Sequence, residues 1–110
     1  MREDEARTRL LARRAELDAE DAANADSRDT VELQQDSVGR LSRMDAMQQQ
    51  AMAQATERRR KAERNRIAAA LARLDQGEWG WCTVCGEQIA ERRLAHDPSI
   101  ATCLKCASAG

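Results

Sequence analysis

Every cysteine of the chain lies in its last third, as two Cys-x-x-Cys pairs: Cys82 with Cys85, and Cys103 with Cys106, seventeen residues apart. A Cys-x-x-Cys turn brings two thiolates to one ion at about 2.3 Å, and two such turns supply the four sulfurs that tetrahedral zinc prefers. A redox dithiol needs only one pair, so the duplication favours a metal site, with iron in a rubredoxin-like arrangement as the other metal such a set accepts. Gly86, directly after the first pair, gives the permissive backbone that such a turn uses. The expected cofactor is one structural Zn2+ held as a tetrathiolate by Cys82, Cys85, Cys103 and Cys106. A site filled by four protein ligands leaves no open position for substrate and argues against catalysis.

His96, the sole histidine, lies between the pairs in "AHDPS". With four thiolates present it is expected on a surface turn and not on the metal. One of Trp79 and Trp81 is expected to pack against the finger or the end of the preceding helix. Zinc would act as a staple: roughly 10 to 16 kcal/mol of apparent binding energy in small structural sites exceeds what Ile89, Leu94, Ile100 and Leu104 can supply. Without metal, residues 77–110 are expected to be disordered.

The composition explains why a staple is needed. There is no Phe and no Tyr, aromatics are 2% of the chain, and much of the apolar fraction is alanine, so a large core cannot accumulate. No stretch approaches the roughly 20 apolar residues of a membrane span, and "MREDEARTRL" is too acidic for a signal peptide. A cytoplasmic protein is expected, with cysteines reduced and available to metal.

Two arms must carry the finger. Residues 3–25 are strong helix formers with Leu10, Leu11 and Leu17 on a helical period, and residues 42–75 form a second helix with Ser42 and Asp45 in capping-box spacing and Gly77 beyond its end. The second arm's expected apolar stripe runs Met44, Met47, Ala51, Ala55, Ala62, Ile67, Leu71, Leu74. Residues 1–36 carry 6 Arg against 11 acids, net −5, and residues 37–75 carry 9 bases against 4 acids, net +5. If the chain doubles back near residues 38–42, Arg58, Arg59, Arg60 and Lys61 come level with Glu16, Asp18, Glu20 and Asp21. With an acidic arm opposite it, the basic run "ERRRKAERNR", which invites nucleic acid, is expected to be a solvated, partly paired helix face.

The expected fold is thus all-α: an antiparallel helical hairpin (coiled coil) over residues 1–76 with a tip loop at about 26–41, then a small C-terminal C4 zinc finger over 77–110. Its second arm would extend roughly 50 Å at 1.5 Å per residue. No nucleophile and base stand in evident arrangement and no phosphate loop is present, so an enzyme is not expected.

The stretch "GEWGWCTVCGEQIAERRLAHDPSIATCLKC" resembles the C4 zinc finger of the DksA/TraR family through Gly77, Trp79, Gly80, Cys82, Cys85, Gly86, Ile89, Arg93, Leu94, Pro98, Cys103 and Cys106. The resemblance implies a regulator that binds RNA polymerase directly and not DNA. Its coiled coil would enter the secondary channel, and acidic tip residues would act near the active centre, often with the alarmone ppGpp. Relatives carry Asp-x-x-Asp-x-Ala at the tip. Here Asp26 and Asp29 keep the acid spacing with Val31 for Ala, while Asp45 and Ala46 are adjacent, and Asp36 lies between. The tip expected to bind the partner therefore comprises Asp26, Asp29, Asp36, Asp45 and Ala46. His96 stands where relatives often have Ala, and the four residues after Cys106 are expected to lack the C-terminal helix of longer members.

Two other readings remain. The cysteine spacing is also that of GATA-like DNA-binding fingers, but "ASAG" is no basic tail and the finger region has 3 basic against 4 acidic residues. A hairpin that only dimerises or serves as a non-catalytic adaptor is the third.

Overall fold

A computed structural model describes residues 1–34 and 42–109, with side chains described in 1–24 and 43–109. Four helices follow in order: α1 (Glu3–Gln34), α2 (Ser42–Gln76), α3 (Glu91–His96) and α4 (Leu104–Ala109). Among the described residues there is no strand, only an isolated antiparallel bridge between Trp81 and Gln88. Among the described residues no helix is long and apolar enough to cross a membrane.

Helix α1 starts with Glu3, Asp4 and Glu5, whose charges complement the positive end of the helix dipole. It continues past the expected end at residue 25 to Gln34. The stretch "ADSRDTVELQ" is rich in cap and turn formers but contains neither Gly nor Pro, so nothing in it forbids the helix from propagating. Helix α2 stops for a definite reason. Gly77 adopts φ 74°, and the amide of Glu78 donates to the Arg73 carbonyl at 2.8 Å while that of Gly77 donates to Leu74 at 3.3 Å. This closes the last turn in the manner of a Schellman cap.

Two compact units make up the chain: one formed by residues 1–14 and 63–110, the other by residues 15–62. In the first, Ala6 and Leu10 of α1 and Ile67, Ala70 and Leu74 of α2 are buried. Arg7 pairs with Asp75 at 2.8 Å and Arg13 grips Glu63 at 2.7 and 3.0 Å, so the segments run antiparallel. In the second unit Leu17 is fully buried, and Arg60, itself buried, donates from Nε to Asp21 at 2.7 Å. The midpoints of these three pairs fall at residues 38 to 41, which agrees with the expected register of opposite charges; the expected turn near residues 38–42 itself lies, but for Ser42, outside the described residues.

The basic run is paired in part, as expected of a solvated face, whereas the expected apolar stripe needs correction. Of Arg58, Arg59, Arg60 and Lys61, Arg60 turns towards the acidic arm while the other three are exposed, because four consecutive helical residues point around the whole circumference. The expected stripe holds at Ile67 and Leu74, but Met44 and Met47 are 73% and 68% exposed, and Ala51 and Ala62 are also exposed. The buried positions of α2 instead recur as Arg60, Ile67 and Leu74, seven apart, with Ala70 between. That is a heptad seam in which a charged residue takes an apolar place.

The bidentate Arg13–Glu63 pair lends itself to measurement. The Arg13 hydrogen bond holds the Glu63 carboxyl below its ordinary range, against the opposing effect of burial. A lowered folded pKa contributes stability above the unfolded carboxyl's pKa and loses it as pH falls through the folded value. Both side chains are partly exposed, so a double-mutant cycle of Arg13→Ala and Glu63→Ala should give a coupling of about 0.5 to 1 kcal/mol at pH 7. Urea melts at several pH values should show that coupling vanishing in acid, as pH falls below the ordinary glutamate range and through the lowered folded value.

Candidate metal centre

The first cysteine pair is placed by a tight turn closed on itself. The Gly86 amide donates to the Cys82 carbonyl at 2.9 Å, and the Cys82 amide donates to Glu87 at 2.8 Å. Gly86 has φ 78°, where a residue with a Cβ is strained, so glycine at this place follows from the turn itself. The Trp81–Gln88 bridge and the Ile89 amide's bond to the Gly80 carbonyl, 2.8 Å, extend the loop into a short hairpin. The second pair straddles the start of α4, where the Ala107 amide donates to the Cys103 carbonyl at 2.9 Å.

Separate contacts bring the two pairs together. The backbone amide and hydroxyl of Thr83 both donate to the Ala101 carbonyl, at 2.9 and 3.2 Å. Arg93 donates from Nε to the Thr102 carbonyl at 3.0 Å, which ties α3 to the residue before Cys103. Trp79 is buried and its indole N–H donates to the Pro98 carbonyl at 2.9 Å, as expected of one of the two tryptophans; Trp81 is half exposed. Ile89 and Leu94 are buried beside them, whereas Leu104, expected in the same core, is 68% exposed. Arg9 of α1 donates to the Ala95 carbonyl at 2.7 Å and seats the end of α3.

The outcome is a cluster in which the sulfurs of Cys82, Cys85, Cys103 and Cys106 all lie within 4.8 Å of one another. Sγ of Cys85 and Sγ of Cys103 are 3.7 Å apart. A tetrahedron with metal–sulfur bonds of about 2.3 Å has edges of about 3.8 Å, so this edge has the length that a four-coordinate ion requires. The thiols' own acidities point the same way. Backbone N–H groups at Cys85 and Cys103 draw Cys82 down to about 6, while the crowding of Cys103, Cys85 and Cys82 pushes Cys106 up to about 12. Four thiolates at such distances repel one another, and a divalent cation at their centre is what allows all four to ionise. The donor set fits a soft, tetrahedral metal.

His96 closes α3, is exposed, and is not in the cluster. Asp45 is exposed in the first turn of α2, and Ala46 beside it is half-buried. Asp26 and Asp29 belong to α1 with side chains outside the described residues, and Asp36 lies outside the described residues altogether. The ties made by Thr83, Arg93 and Arg9 escaped sequence reasoning, since a side chain donating to a distant carbonyl leaves no periodic trace.

Metal loading should stabilise the finger at about one ion per chain. Loading at pH 7 should release protons from the thiols, and affinity should fall as pH is lowered, readable by titration in weak buffer. Cys82→Ser and Cys106→Ser should each lose the stoichiometric metal and the near-ultraviolet signal of Trp79. Full retention of metal by either variant would contradict a four-sulfur site.

No family model matches the chain. Over 41 residues, 37% of its length, it is 42% identical to the RNA polymerase-binding transcription factor DksA of Haemophilus influenzae, and the match spans 28% of that protein. The structure of transcription factor DksA2 from Pseudomonas aeruginosa is similar to it with a TM-score of 0.76 and 27% identity, over 97% of this chain and 81% of that one. In fold, over nearly its whole length, this chain is DksA-like.

Proposed function

We propose that this chain is a zinc-stapled, non-enzymatic regulator of transcription that binds RNA polymerase directly. The likeness to DksA2 over 97% of the chain carries the reading, and the local identity to a polymerase-binding factor supports it. In this proposal Zn2+ occupies Cys82, Cys85, Cys103 and Cys106 and fixes the finger, residues 77–110, at the base of the hairpin. The hairpin of residues 1–76 enters the polymerase's secondary channel. Its tip, about residues 26–41 with the start of α2, presents Asp26, Asp29, Asp36, Asp45 and Ala46.

The chemistry of such a tip is electrostatic. A carboxylate in a narrow, low-dielectric channel perturbs basic or metal-bound groups far more strongly than it would in water. Asp45 is the exposed acid with a described side chain among these candidates, and its place in the first turn of α2 holds it on a rigid element. ppGpp as a second ligand and a cytoplasmic location complete the proposal.

Binding of the zinc-loaded chain to core RNA polymerase, with a known secondary-channel factor as competitor, tests it. Binding displaced by the competitor is expected. Binding that survives an excess of competitor would move the contact off the channel, and no binding at tens of micromolar would sink the polymerase reading. Among Asp26→Ala, Asp29→Ala, Asp36→Ala and Asp45→Ala, at least one should reduce the effect on open-complex lifetime tenfold or more while leaving affinity within about threefold.

A further inference from the structure

The finger is tied unevenly along its length. Up to Thr102, bonds cross from one segment to another: the Trp79 indole donates to Pro98, the hairpin closes through the amides of Cys82, Gly86 and Ile89, Thr83 donates twice to Ala101, and Arg93 holds the Thr102 carbonyl at 3.0 Å. Beyond Thr102 the bonding changes. The Ala107 amide donates to the Cys103 carbonyl at 2.9 Å, a bond within the turn of α4 itself. Among the described residues α4 buries no side chain, and Leu104, its large apolar residue, is 68% exposed. A helix of six residues does not persist in water unaided. What holds α4 is its cysteines, and they are held unequally. Cys103 directly follows the anchored Thr102, and its own amide donates to the Cys82 sulfur. Cys106 lies a turn further on, joined to the rest of the finger through its sulfur.

We infer that α4 is a latch closed by the metal, that Cys106 is the first ligand to let go, and that the position it vacates accepts a small thiol from solution. This goes beyond the zinc reading above and rests on it. The other sulfurs are better secured. Cys82 is 3% exposed and its sulfur accepts the backbone amides of Cys85, Cys103 and Val84, while the Cys85 sulfur accepts that of Glu87. Amides donated to a thiolate fix its direction and make it a weaker nucleophile, whereas Cys106 is crowded by the other three sulfurs. When Cys106 leaves, three thiolates still hold the ion, which then has an open position of the kind that catalytic zinc keeps for a ligand from solution. An incoming thiol supplies the fourth thiolate there. The exchange moves one proton from that thiol to Cys106 and no electrons, so it needs no oxidant. Exposure alone would choose differently, since Cys85 is exposed and Cys106 only partly so.

Sub-stoichiometric iodoacetamide on the zinc-loaded full chain, followed by peptide mass mapping, tests the order. A sulfur that lets go bonds to the reagent's carbon, iodide departs, and the cysteine is marked. Cys106 should be marked first and Cys82 last, with Cys106 about fivefold or more ahead of Cys85. Amide exchange read by NMR on the same zinc-loaded chain should be about tenfold faster or more at Ala107 than at Cys82, Gly86 or Ile89. Zinc transfer to a chromophoric chelator should accelerate in proportion to added 2-mercaptoethanol. Cys85 marked first, all four cysteines marked at one rate, or an Ala107 amide as protected as those of the hairpin overturns the latch and leaves the four-sulfur site standing. Transfer indifferent to the added thiol overturns the exchange position. A chain that takes up no zinc overturns the zinc reading and the latch together.

Discussion

Four sulfurs within 4.8 Å of one another are the constraint on which the rest of this molecule depends. Left to themselves they oppose the fold, since at most a fraction can ionise at once. Around one cation they become the strongest interaction available to a chain with two tryptophans and no other aromatic residue. The contacts around the cluster make sense as consequences of closing it. Thr83 and Arg93 reach the carbonyls of Ala101 and Thr102, so each half of the donor set is tied to the backbone leading into the other.

From that centre the order spreads through a small number of specific bonds. Trp79 locks onto the Pro98 carbonyl, Leu94 fills the space beside Gly80, and Arg9 grips the last turn of α3. Buried apolar area contributes in the same unit, through Ala6, Leu10, Ile67, Ala70 and Leu74, but three of these are no larger than leucine and two are alanine. Packing of that kind gives close approach of backbones and little transfer energy, leaving the directional contacts to decide geometry.

The legibility of the sequence follows this division. The cysteine cluster was readable because ligand chemistry fixes both residue type and spacing. The antiparallel register was readable from charge, since Arg60 and Asp21 meet where opposite arms should. The phase of the α2 seam was not, for two physical reasons. Alanines are so frequent that an apolar stripe can be drawn down several sides of the helix, and the true line passes through Arg60, which a search for apolar residues discards. The length of α1 was hidden similarly: Asp26, Ser27 and Asp29 favour caps in isolation, yet a helix already under way needs only the absence of a breaker.

The charged layers of the hairpin have a further consequence for its alignment. Alanine-lined helices slide easily, because one heptad of small side chains packs much like the next. Moving Arg60 by seven residues along α1 from Asp21 would set it against Arg14 or Arg28, and moving Glu63 likewise from Arg13 would set it against Ala6 or Glu20. Each slip exchanges an attraction for a repulsion or an unpaired charge. The hairpin thus works like a keyed lock, with two ionic teeth that admit one alignment of helices too plain to choose it by shape.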